Sequence, residues 1–165
     1  MTMSMYQASV PLFTQILGGM KGTLAKAKAH AEAKNLEASA ILEDRLFPDM
    51  FKFSRQVQQA TDMACGTARI AGVDVPTLPT AAASFDDLIA RVDAALAFLD
   101  TLKPAQLDGT EAKDVTITMR AGPRSFTGQS YLMTWLIPHT TFHTTTAYNI
   151  LRHRGVEIGK RDFLG

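Results

Sequence analysis

The sequence predicts an all-α protein, a four-helix bundle with a short β-hairpin or loop ahead of the last helix. Three observations carry the prediction. Amphipathic segments of similar length follow one another, proline and glycine separate them, and one short stretch before the last alternates threonine with apolar residues. At 165 residues the chain reads as a single domain over residues 1–165, long enough to bury a core without disulfide or metal staples.

In the first segment Val10, Phe13, Leu17, Leu24, Ala27 and Ala31 recur at helical steps, and the pattern fades at Lys34 and Asn35. Pro11 is tolerable because it falls in the first turn. Gly18, Gly19 and Gly22 cost about 1 kcal/mol each against alanine, which predicts close approach of a neighbouring helix at that point. The second segment follows Pro48 and Asp49 and runs to about Ala71, with Phe53, Val57, Ala60, Ala64 and Ile70 inward and Gly72 as its stop. Residues 73–83 contain Pro76 and Pro79 and read as a loop.

Ser84 opens the third segment with Asp87 three residues on, a short-chain capping box. Phe85, Leu88, Ile89, Val92, Leu96 and Leu99 fill one of its faces, and Pro104 ends it. Alternation over residues 115–119, followed by Gly122 and Pro123, predicts a hairpin over residues 115–126. The fourth helix is expected over residues 128–154, closed by Gly155 in a left-handed conformation. Pro138 lies inside it and should kink it or lengthen the local turn.

Composition bounds the function. Apolar residues make up 46% and charged residues 20%, as in an ordinary globular protein. The formal charge is +1 with no basic block, so electrostatic binding to nucleic acid has no footprint. Cys65 is the only cysteine, which rules out an intramolecular disulfide and fits a reducing compartment. The first basic residue is Lys21, so a charged secretory start is missing, and no apolar run approaches the roughly 20 residues that cross a bilayer. The expectation is a soluble cytoplasmic protein with neither nucleic acid nor membrane as a partner.

Metal-ligating chemistry is suggested at one place. His139 and His143 sit four apart. At about 100° per residue, Leu132, Leu136, His139, His143, Ala147 and Ile150 fall within an arc of roughly 80°, so both imidazoles should face the bundle axis. A shared metal would satisfy one nitrogen on each ring and a further partner the other. Alternatively each is a hydrogen-bonded core or cleft histidine. A catalytic zinc-type site takes three protein ligands, and the third is hard to find. His30 projects away from the stripe of its helix, and His153 lies near a helix C-terminus, where a cation is favoured by the dipole. Asp62 is the nearest carboxylate of the second helix, although helical geometry turns it opposite Phe53 and Val57; Asp49 and Gln56 are further candidates.

Cys65 reads as a packed thiol. In the run Thr140, Thr141, Thr144, Thr145 and Thr146, Thr146 lies near the inward arc and could line a cleft, while the others bond back to carbonyls or face a partner. Phe163 and Leu164 should dock the C-terminal tail, with Lys160, Arg161 and Asp162 forming surface ion pairs.

The ending FHTTTAYNILRHRGVEIGKRDFLG, the segment RLFPDMFKFSRQVQQATD and the opening MYQASVPLF resemble a bacterial domain-of-unknown-function branch of the DinB/YfiT-like superfamily. The resemblance spans essentially the whole chain. It implies a four-helix bundle, often a homodimer. It also implies a divalent metal such as zinc or nickel, held by three histidines: one from the second helix and two spaced four apart on the last. Some such members act as metal-dependent thiol-cofactor transferases or isomerases. Carried onto this chain, the last-helix pair is His139 and His143; the second helix has no histidine, and Asp62 or Gln58 lies near that region. Two readings follow. One is a divalent-metal-dependent enzyme acting on a small molecule or thiol cofactor, with His139, His143 and Asp62 as ligands. The other is a non-catalytic dimeric bundle, without a metal, that binds a small ligand or a protein partner.

Overall fold

The computed structural model describes residues 3–165. The long helices are α1 (Val10–Ala33), α2 (Phe53–Cys65, continued after Gly66 by Thr67–Ala71), α3 (Phe85–Thr101) and α4 (Ile137–His153). The stripe residues named above in α1 and α2 are all buried, as are Phe85, Leu88, Val92 and Leu99 of α3. Ser84 caps α3 as its sequence requires: its Oγ accepts from the Asp87 N–H at 3.0 Å, and the Asp87 carboxylate accepts the Ser84 N–H at 3.0 Å.

Around the bundle, α2 packs on α4 and α3, and α1 packs on α3 and α4, which leaves α1 and α2 diagonal to one another. Their connection therefore crosses the end of the bundle. This crossing delays the start of α2 to Phe53 and includes a short helical turn, Ser39–Leu42, that buries Ile41 and Leu42. It also leaves Phe47 exposed, and sets the exposed Leu46 and Phe51 beside α4.

The hairpin pairs β1 (Asp114–Met119) with β2 (Gly122–Thr127), Val115 opposite Phe126. A helical turn, Gly128–Tyr131, then leads into a π-helical turn, Leu132–Leu136, where the Ile137 N–H reaches back to Leu132 O. Pro138 follows at once, lacking an N–H. The expected lengthening of the turn is what the chain does here, and π turns of this kind concentrate at functional sites. At the far end of α4, Gly155 is left-handed at φ +81°, closing the helix as expected.

Among the described residues, only Gly19 of the glycine group in α1 is approached closely. A Cβ there would lie 2.3 Å from Phe163 O, whereas none of the neighbouring atoms comes within 4 Å of one at Gly18 or Gly22. The approaching element is the short C-terminal helix α5 (Lys160–Leu164) rather than a bundle helix. Gln15 Nε2 donates to Leu164 O at 2.9 Å, Lys26 pairs with Asp162 at 2.6 Å, and Phe163 sets its edge against Tyr148. The Leu164 side chain is exposed, contrary to expectation. Consecutive residues on a helix diverge by about 100°, so with Phe163 turned to Tyr148, Leu164 docks by its carbonyl alone. Among the described residues no helix is long and apolar enough to cross a membrane.

Candidate functional site: two histidines in an aromatic cleft

The widened turn delivers His139 and His143 to one side of α4, their ring centroids 6.4 Å apart. His143 is buried and His139 half-buried. Phe51, from the crossing segment, stacks on His143 at 6.2 Å, and Phe142 presents an edge to it at 5.3 Å. Trp135 lies 4.2 Å from His139 and is backed by Phe126 and Arg124 of β2. The hairpin thus buttresses one end of the site. Together Phe51, Gln59, Pro138, His139, Phe142 and His143 line an open cleft of about 570 Å³, within the volume range of small-molecule sites.

Hydrogen bonding decides which ring nitrogens are free. His139 Nδ1 lies 2.7 Å from Trp135 O, and a carbonyl only accepts, so Nδ1 carries the proton. Gln56 Nε2 donates to Phe51 O at 3.0 Å, which turns Gln56 Oε1 toward His143 Nδ1 at 2.7 Å. That nitrogen must donate too. With Nδ1 protonated, the neutral form of each ring keeps its lone pair on Nε2. Burial first, then the charges of His139 and Arg55, lower the His143 pKa to about 4, so this imidazole is neutral at ordinary pH.

The family described as Domain of unknown function (DUF1993) matches residues 5–164 of the chain. The chain belongs to this family. A DinB family member protein from Shewanella denitrificans, known from a crystal structure, is 34% identical. The likeness covers 97% of this chain and 91% of that one, at a TM-score of 0.87. A search of curated proteins gave no match. The DUF1993 fold is therefore DinB-like, a helical bundle with one short hairpin before its last long helix.

Within this DUF1993 chain the expected ligands separate. His139 and His143 share the cleft, while Asp62 turns toward α3 and pairs with the buried guanidinium of Arg91. The reason is helical phase: Asp62 leaves α2 on the side that packs on α3, whereas Gln56 leaves it toward α4. Burial raises the Asp62 carboxyl above its ordinary value, against the opposing pull of Arg91. Gln58 is occupied by Thr80 O and Arg55, and Asp49 lines a smaller adjoining cavity with Gln56 and His143. His30 stands half-exposed on α1 and His153 is exposed. Cys65 is buried and its thiol is pushed up to about 12, which makes it inert. Thr144 bonds back to Thr140 O and Thr146 to Phe142 O.

The residues do not fit a resident divalent ion. Among the described residues no three His, Cys, Asp or Glu side chains converge as a ligand set. The spread of the pair is also too wide: a tetrahedral ion about 2.0–2.1 Å from each nitrogen would draw the centroids to about 5.2 Å, against the 6.4 Å found. What remains is a pair of imidazoles walled by aromatic rings, of which His143 is held neutral by burial. Gln56 was a candidate ligand in the sequence and proves to be the partner of His143 Nδ1, whereas Phe51, Phe142 and Gln59 carried no signal as members of the site. It is the crossing of residues 34–52 that brings Phe51 to α4.

Proposed function

We propose that this DUF1993 chain binds a small molecule in the aromatic cleft, seating a hydrogen-bond donor of the ligand on the Nε2 atoms of His139 and His143. The observation that carries this reading is the commitment of both Nδ1 protons, to Trp135 O and Gln56 Oε1, which leaves two acceptors side by side. With its pKa lowered to about 4, His143 accepts a hydrogen bond here rather than a proton. Phe51, Phe142 and Pro138 would hold the body of such a ligand, and Gln59 adds the remaining polar contact. The metal-dependent reading would need a third ligand beside His139 and His143, and Asp62 is turned to Arg91 instead.

Trp135 is the only tryptophan and lies against His139, so its fluorescence reports on the cleft. Phenol, a planar molecule with one O–H donor, is the simplest probe. Titration should give a saturable change in the parent protein and a much weaker one in His143→Leu with folding intact. A response that is not saturable, or that persists unchanged in the variant, overturns the proposal.

A further inference from the structure

A second cavity of about 630 Å³ lies along the outer side of α4 and shares Pro138 and Phe142 with the histidine cleft. Its other walls are Leu46 and Met50 from the crossing segment and Thr141, Thr145, Thr146 and Asn149 from α4. None of these residues is charged. The surrounding helix is equally unusual, since no Lys, Arg, Asp or Glu occurs from Gly128 to Leu151 although Thr141, Phe142, Thr145 and Asn149 are exposed.

An exposed helix face is ordinarily charged, and β-branched threonine is a weaker helix former than the residues usual there. Folding alone therefore gives no reason for this strip. Thr146 turns its hydroxyl back onto Phe142 O, so its methyl group is left for the cavity. Phe142, 54% exposed, stands between the two cavities and forms a wall of each.

Building on the proposed ligand cleft, we infer that the trough along Thr141, Thr145 and Asn149 is a second subsite of it, and that the ligand is elongated. A donor-bearing head meets the imidazoles, and an uncharged tail, largely apolar with room for a hydroxyl or amide, lies beside Phe142. Leu46 and Met50 cover the apolar part of the tail, and Thr141, Thr145 and Asn149 offer neutral hydrogen-bonding groups to its edge. A charged tail finds no counter-ion along this face.

The test is the affinity of phenol and of its 4-methyl, 4-butyl and 4-hexyl derivatives, read by Trp135 fluorescence and confirmed by calorimetry. The parent should bind more tightly by roughly fourfold for each methylene that is fully buried in the trough. Thr145→Arg, an exposed substitution, should leave phenol affinity unchanged and flatten the dependence on chain length. A parent series that binds phenol but shows no gain with chain length overturns the second subsite alone. The same gain in Thr145→Arg also overturns it, because the tail then lies elsewhere. Affinity for the hexyl compound that falls as protein concentration rises means that a second copy of the chain covers the trough, and overturns it as well. If neither phenol nor any derivative binds, the cleft reading itself is lost and the subsite with it.

Discussion

Gln56 holds His143 in a single tautomer. Its amide is oriented by Phe51 O, so Oε1 faces His143 Nδ1 at 2.7 Å and takes the ring proton. Gln56→Leu removes that acceptor while leaving a buried N–H, and should cost about 1–3 kcal/mol in urea unfolding. Gln56→Glu should instead raise the His143 pKa, because a carboxylate against Nδ1–H favours the imidazolium. Imidazole nitrogen shifts distinguish these states. Identical His143 titration in parent and Gln56→Glu would mean that this hydrogen bond does not exist in solution.

Acid should weaken the fold through the same residue. His143 titrates near 4 when folded and near 6.5 when unfolded, so between those values the unfolded chain takes up a proton that the folded chain refuses. Stability linked to His143 is thus fully present above about pH 6.5 and is lost as pH falls toward the folded pKa, by on the order of 3 kcal/mol. Urea midpoints at pH 7.5 and 4.5 should fall more steeply in the parent than in His143→Gln. His30 and His153 remain in both proteins and cancel. Equal slopes would place His143 near its ordinary pKa.

The bundle was legible because helical periodicity records burial directly. Val10, Phe13, Leu17, Leu24, Ala27 and Ala31 are inward in the sequence pattern and buried in the fold, and Ser84 with Asp87 marked a helix start that is capped as expected. The histidine pair was legible for the same reason, since it lies on a stripe. The partners were not. Periodicity says which face of α2 turns inward but not which neighbour that face meets, and the diagonal placement of α1 and α2 is a long-range outcome. Gln56 therefore looked no different from Asp62, yet a rotation about the helix axis sends one to His143 and the other to Arg91.

Metal binding should be weak. Protein purified without added metal or chelator should carry far less than one zinc or nickel ion per chain by plasma mass spectrometry, and His143→Ala should not change the amount. The physical ground is the pair itself, two donors whose rings stand 6.4 Å apart, with no third ligand among the described residues converging on them. One ion per chain, lost in His143→Ala and kept when His30 and His153 are both replaced, would show that the rings close by about 1 Å around a metal and that a donor outside this set completes the shell.

Gly19 is the place where the tail is keyed to the bundle. Gly19→Ala sets a methyl group 2.3 Å from Phe163 O and 2.9 Å from its carbonyl carbon, both backbone atoms that cannot rotate away. The helix itself gains by the change, about 1 kcal/mol in α1, so the midpoint of unfolding should move little while α5 is pushed off. Carboxypeptidase should then remove the C-terminal residues of Gly19→Ala much faster than those of the parent. Gly18→Ala is the control, because its added methyl meets open space; it should raise stability by up to about 1 kcal/mol and leave the tail protected. Equal digestion of Gly19→Ala and the parent would mean that α5 leaves α1 freely in solution, and that the contacts of Gln15 and Lys26 with the tail hold it only weakly.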